Sequence, residues 1–278
     1  MKFQSKHSVR DSQLPIAREH LLNSIIRNLQ SKSDVIGIFL GGSIAKNNTD
    51  LFSDIDLRVV VAEEKFQEYI RNKKELAKEF GDVLFFEDMY LQAPYTIAHY
   101  SSFIKVDLFI YTFSRLQPST WLQGIRIIKD TDVGLRSILE QSEAIQYTVS
   151  SDDVEKWRGK VFAYIHEIYR RVFREEFYYA LGQMNNLRAY IVTGWNMEVD
   201  RLSNEAWDWS KIEGARSSLE RWQLSLLATW DCGRDQQEMM KALYSMVPEI
   251  RRLHTVLCQK TGLEMNEEHF ERIVNQVL

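Results

Sequence analysis

The stretch Ile38–Val61, IFLGGSIAKNNTDLFSDIDLRVVV, constrains the fold more than any other part of the 278-residue chain. A short apolar run enters Gly41-Gly42-Ser43, and a second apolar run opens with Asp54-Ile55-Asp56. Side chains alternate between the two faces of a strand, so Asp54 and Asp56 point one way while Ile55, Leu57 and Val59 point the other. Two carboxylates held side by side repel each other. A divalent cation that takes hard oxygen ligands, most naturally Mg²⁺, relieves that repulsion by sitting between them. The two glycines permit a tight turn whose backbone N–H groups come close to an anion, and the Ser43 hydroxyl adds a donor. A phosphate-gripping turn beside a metal-gripping carboxylate pair reads as a nucleotide site.

The flanking segments supply a sheet and its support. Pro15–Gln30 carries apolar residues at helical spacing and predicts a helix behind the sheet, with Pro15 in its first turn. Val35–Leu40 is a continuous apolar run ending at Gly41, the pattern of a buried strand. Lys46 follows the glycine turn, where its ammonium would reach a triphosphate; a solvated lysine on a polar loop is the stronger reading of the two. Further strands are expected at Val83–Phe86, Tyr95–Tyr100 and Phe103–Tyr111, the last two joined by a hairpin at Ser101-Ser102. In KVDLFIY, Lys105, Asp107, Phe109 and Tyr111 share one face and Val106, Leu108 and Ile110 the other. An acid in the middle of such a strand is out of place in a core. If this strand lies beside Asp54–Val61, Asp107 completes a carboxylate triad; the structural alternative is an aspartate paired with Arg58.

Gly42-Ser43, ten further residues, then Asp54-Ile55-Asp56 and an apolar strand resemble the signature of the polymerase-β-like nucleotidyltransferase superfamily. The chain looks most like its small antibiotic-modifying members, the lincosamide and aminoglycoside nucleotidyltransferases. The specific part of the resemblance covers residues 35–112. It implies an α+β fold: an N-terminal nucleotidyltransferase domain, residues 1–145, with a mixed sheet flanked by helices, followed by an all-α helical bundle, residues 146–278, that supplies an acceptor pocket. It also implies that Asp107 is the family's later-strand acid, which joins the metal site or takes the proton from the acceptor hydroxyl. The short strand ending at Asp130 corresponds to a structural closing strand, with no chemistry assigned.

Composition narrows the substrate. A net charge of −4 and a pI near 5.9 disfavour a polynucleotide partner, because such proteins display basic faces to backbone phosphates. The N-terminus has no apolar signal region and no stretch approaches a membrane span, so a cytoplasmic protein is expected. Two cysteines, Cys232 and Cys258, with no ligand spacing between them, indicate neither disulfides nor zinc. From Val154 the texture changes to long helical periods punctuated by Gly194, Gly214, Gly233 and Gly262. Trp195, Trp207, Trp209, Trp222 and Trp230 fall there and read first as core, second as an acceptor-lining or base-stacking set. His99, His166 and His254 have no partner pattern.

The activity that the resemblance implies is Mg²⁺-dependent transfer of a nucleoside monophosphate, AMP from ATP, to a hydroxyl of an aminoglycoside or lincosamide, releasing pyrophosphate. Asp54, Asp56 and Asp107 would hold one or two metal ions, with Asp107 as general base as well. Gly42, Ser43 and Lys46 would bind the nucleotide. The expected partners are the nucleoside triphosphate and a small acceptor, on a monomer or homodimer. Two other readings stay open: the same chemistry on a protein side chain or another metabolite, and a nucleotide-binding regulatory or toxin–antitoxin partner.

Overall fold

The computed structural model describes residues 5–88, 90–204 and 208–277. Its internal contacts divide the chain into two compact units, Met1–Gln146 and Tyr147–Leu278.

The first unit is built on one six-stranded mixed sheet. In chain order its elements are α1 (Ser8–Gln30), β1 (Val35–Leu40), the single-turn α2 (Gly42–Ala45), β2 (Ile55–Val61), α3 (Phe66–Lys78), β3 (Val83–Phe86), β4 (Tyr95–Tyr100), β5 (Lys105–Tyr111), β6 (Arg126–Asp130) and α4 (Gly134–Glu143). The strands lie in the order β3-β4-β5-β2-β1-β6. Every pairing is antiparallel except β2 with β5, which are parallel neighbours. The chain reaches β5 from β2 through α3 and the β3–β4 hairpin, as a parallel pairing requires a long crossover.

Alternation along the strands sorts the two faces. Ile55, Leu57 and Val59 of β2 and Val106, Leu108 and Ile110 of β5 point to one side, where Leu14, Leu21, Ile25 and Leu29 of α1 and Phe66, Ile70 and Leu76 of α3 cover them. On the other side, Phe39 and Val60 are covered by Leu116, Leu122 and Leu135. That second cover lies over the β2–β1–β6 part of the sheet.

Pro15 lies inside α1 rather than in its first turn, because the helix begins seven residues earlier, at Ser8. Helix α4 is not among the expected elements, although Leu135, Ile138 and Leu139 stand at helical spacing. It starts after Val133, which takes a left-handed φ of 59°, and the Asp130 carboxylate accepts from the backbone N–H groups of Leu135 (3.1 Å) and Arg136 (2.9 Å).

The second unit is helical: α5 (Ser151–Phe173), α6 (Phe177–Glu198), α7 (Arg221–Thr229), α8 (Gln236–Thr261) and α9 (Glu267–Val274). Ser150 and Asp153 form a reciprocal capping box at the start of α5. Gly262 ends α8 in the left-handed conformation, φ 68°, that favours glycine at this position. Gly194, expected to separate helices, is instead buried within α6. A Cβ there would stand 2.9 Å from Leu253 Cδ1 and 3.2 Å from Trp157 Cζ2, so its missing side chain sets how closely α5, α6 and α8 pack. Trp157, Trp195 and Trp230 are core residues, whereas Trp222 is 42 % exposed. Trp207 lies outside the described residues. Cys232 and Cys258 are both free thiols.

Candidate active site

Asp56 and Asp107 are register partners on the parallel strands β2 and β5, so their side chains leave the same face of the sheet. Asp54 immediately precedes β2. The three acids lie close enough that Asp54 and Asp56 both act on Asp107 electrostatically. Burial pushes the Asp107 carboxyl above the usual range; the Lys105 ammonium opposes that shift and the two neighbouring acids add to it.

The Lys105 ammonium sits among them, with Nζ 2.9 Å from Asp54 Oδ2 and 3.2 Å from Asp107 Oδ2. A cation therefore already bridges two of the three acids. Asp107 Oδ1 is buried with no hydrogen-bond partner, an acceptor left unspent. Among the described residues, no group of three or more His, Cys, Asp or Glu side chains is arranged as a metal cage. The donor set is nonetheless hard oxygen, holds one positive charge between its members, and keeps one orphaned carboxylate oxygen. That chemistry fits a small divalent cation.

Arg58 does not pair with the Asp107 carboxylate. Its Nη2 lies 3.4 Å from Asp56 Oδ1, while Nη1 donates to the Asp107 carbonyl at 3.0 Å and to the Leu57 carbonyl at 3.1 Å. Its guanidinium carbon lies 4.2 Å from the centre of the Phe109 ring and 5.3 Å from that of Trp121. The side chain is thus stacked, buried and fixed, tying the acid on β2 to the backbone of β5.

The glycine turn closes over Asp56. Gly41 N–H donates to the Asp56 carbonyl at 2.9 Å. Gly42 has a φ of 57°, and a Cβ there would fall 1.9 Å from Asp56 Oδ2. Both the left-handed backbone and the closeness to the carboxylate require glycine. Ser43 is buried, and its hydroxyl has no partner. Lys46 is exposed, its stem passing beside Gly124.

The turn leading into Asp54 is fixed from two sides. Ser53 Oγ accepts from Asp50 N–H at 2.8 Å, and the buried Arg18 of α1 donates to the Ser53 carbonyl at 3.0 Å. Lys105 and Arg18 have no role in the sequence pattern, and Arg58, expected as a partner of Asp107, pairs with Asp56 instead. For Lys105 the signal was present, since it shares a face with Asp107 two positions away.

Residues 23–101 match the family model described as polymerase beta, nucleotidyltransferase. The match contains Gly42, Ser43, Asp54 and Asp56 and stops six residues before Asp107. A search of curated proteins found no match. Among solved structures the chain is similar to an aminoglycoside 6-adenyltransferase from Bacillus subtilis, 13 % identical over 94 % of this chain and 97 % of that one, with a TM-score of 0.44. It is also similar to a nucleotidyltransferase-like protein from Exiguobacterium sibiricum, 12 % identical over 96 % of this chain and 87 % of that one, with a TM-score of 0.38.

Proposed function

We propose, starting from residues 23–101 as a nucleotidyltransferase domain of the polymerase beta family, that this chain transfers a nucleoside monophosphate, AMP from ATP, to a hydroxyl of a small molecule. Pyrophosphate is the leaving product. The acceptor class is that of the aminoglycoside and lincosamide antibiotics, which the Gly42-Ser43…Asp54-Ile55-Asp56 resemblance brings with it. The protein acts in the cytoplasm as a monomer or homodimer.

The observation that carries this reading is that Asp56 and Asp107 leave the same face as register partners, with the Lys105 ammonium joining Asp107 to Asp54 and the Gly41-Gly42 turn packed on Asp56. Transfer of this kind asks a protein mainly for positioning and for charge stabilisation. The acceptor oxygen bonds to the α-phosphorus as the bond from that phosphorus to the bridging oxygen of pyrophosphate breaks. Asp107, with its raised affinity for a proton, accepts the hydroxyl hydrogen. Ser43 offers its unspent hydroxyl to a phosphate oxygen, and Lys46 lends positive charge from the rim. Asp54, Asp56 and Asp107 would hold Mg²⁺, which when bound supplies neutralisation of the phosphate charge. Arg58 keeps Asp56 in place throughout.

The test is a pyrophosphate-release screen of ATP, GTP, CTP and UTP against a panel of lincosamides and aminoglycosides, with Asp54→Asn as the blank. Release that needs both Mg²⁺ and an acceptor is expected from the wild type. Equal release from the blank would show that the activity comes from elsewhere.

A further inference from the structure

A cavity of about 380 Å³ opens beside the carboxylate group, on the side of Asp54 and Lys105, which form part of its wall. The rest of the wall is largely apolar and includes Leu14, Phe52, Leu84, Phe85, His99 and Phe103. Phe52, Leu84, Phe85 and Phe103 are each more than half exposed. One exposed apolar side chain is ordinary in a soluble protein, but four around a single concavity mark a binding site.

The backbone points the same way. Phe103 has a φ of 64°, a left-handed conformation that a bulky side chain enters only at a cost. Hydrogen bonds from Phe103 N–H to the Tyr100 carbonyl (2.8 Å) and from Tyr100 N–H to the Ile104 carbonyl (2.9 Å) hold it there. Glycine would take this turn without strain, yet the chain presents an aromatic ring, with the Arg10 guanidinium 3.8 Å from its centre. The polar groups nearby are already engaged. His99 stacks on Phe85 with ring centres 4.2 Å apart and has Nε2 3.0 Å from the Glu87 carboxylate, while Ser53 Oγ is committed to Asp50. A nucleobase needs hydrogen bonds along its edge, and this wall has few to give.

Strand order separates the cavity from the glycine turn. The Gly41-Gly42 turn reaches Asp56 from the β1 side, and the cavity approaches Asp54 and Lys105 from the β4–β3 side, with β2 and β5 between. In an in-line displacement the entering and leaving oxygens lie on opposite sides of the phosphorus. If the phosphates rest at the glycine turn, the cavity is left open to the entering group.

We propose that this cavity seats an apolar ring or branched alkyl group of the acceptor. The acceptor is then an amphiphilic alcohol, whose hydroxyl stands near Asp107 while its apolar part packs against Phe85 and Phe103. A uniformly polycationic sugar has no group to place there, and the volume holds one ring system rather than an oligosaccharide. The inference rests on the nucleotidyl-transfer reading above and narrows its substrate.

The test uses the full chain with N-phenyl-1-naphthylamine, a neutral aryl probe whose fluorescence rises on binding, titrated with and without Mg²⁺ and α,β-methylene-ATP. The probe and the nucleotide analogue are expected to bind together. Phe85→Ala and Phe103→Gly should each weaken the probe at least fivefold and leave the affinity for the analogue, measured by calorimetry, unchanged. Phe103→Gly should melt at or above the wild-type temperature, so that lost binding in this variant is not lost folding. Absence of probe binding, or wild-type binding by both variants, overturns the proposal. Competition between probe and analogue assigns the cavity to the nucleotide and overturns it alone, leaving the transfer reading intact. Failure of the analogue to bind the wild-type chain removes the transfer reading, and this inference with it.

Discussion

Asp56 and Asp107 face each other across the one parallel strand pairing in the described sheet, and the Lys105 ammonium 3.2 Å from Asp107 is the nearest positive charge to the second acid. Burial leaves Asp107 holding its proton more tightly than the same residue in the unfolded chain. Its ionised form therefore subtracts from stability at any pH above its folded-state value. Asparagine keeps the shape and removes the charge. Asp107→Asn is expected to melt at or above the wild-type temperature at pH 7.5 and to lose roughly 10²–10⁴-fold in turnover, the worth of a general base. Calorimetry and pyrophosphate release check the two halves separately. A markedly lower melt would make the carboxylate a structural group.

Lys105 neutralises two acids that otherwise repel each other. In metal-free buffer, Lys105→Met is expected to melt several degrees below the wild type. Millimolar Mg²⁺ should raise the melting temperature of this variant more than it raises that of the wild type, because the ion no longer competes with an ammonium. Equal Mg²⁺ shifts in the two proteins would refute that competition.

At Gly42 the added methyl of Gly42→Ala meets Asp56 Oδ2 at 1.9 Å and the backbone must keep a φ of 57°. The expected cost is about 1–2 kcal/mol in urea unfolding, from the left-handed conformation and the displaced carboxylate together. Turnover should fall at least tenfold. Stability loss with full activity would show that Asp56 does not depend on this close approach.

His254 tests the helical unit. It is 3 % exposed, stacks on Phe270 at 4.7 Å between ring centres, and has Nε2 3.4 Å from the Arg158 guanidinium. Burial first, and the Arg158 charge second, lower it from 6.5 to about 4. The unfolded chain then binds a proton that the folded one refuses between those values. Stability contributed by neutral His254 is complete above pH 6.5 and is lost as the pH falls towards 4, by on the order of 3 kcal/mol at most. His254→Leu should flatten that part of the pH–stability curve, as followed by urea unfolding at pH 7, 5.5 and 4.5.

Alternation alone places Asp107 of KVDLFIY on the face away from Val106 and Leu108, but its meeting with Asp56 depends on β2 and β5 being neighbours. Lys105 shares that face, but its bridge to Asp54 depends on which strands are adjacent, and a linear pattern does not state adjacency. Arg58 shows the same limit. Its spacing brings it near Asp56, while its stacking on Phe109 and Trp121 joins segments 51 and 63 residues away. In the helical unit, Gly194 resembled a break because composition does not distinguish a glycine that ends a helix from one that lets two neighbouring helices come close. The tryptophans divide likewise: Trp195 and Trp230 stack in the core with ring centres 6.0 Å apart, and Trp222 is 42 % exposed, although all three belong to the helical unit.

The parallel pairing of β2 with β5 also dictates when the site can form during folding. Residues 56 and 107 meet only after the 50 residues between them have been laid down as a helix and a hairpin. Contacts of such sequence separation close late, because the chain must first surrender the entropy of the intervening loop. The mutual repulsion of Asp56 and Asp107 therefore arises in the same step that pairs Leu57 with Leu108 and Val59 with Ile110, and the burial of those side chains on the opposite face offsets it.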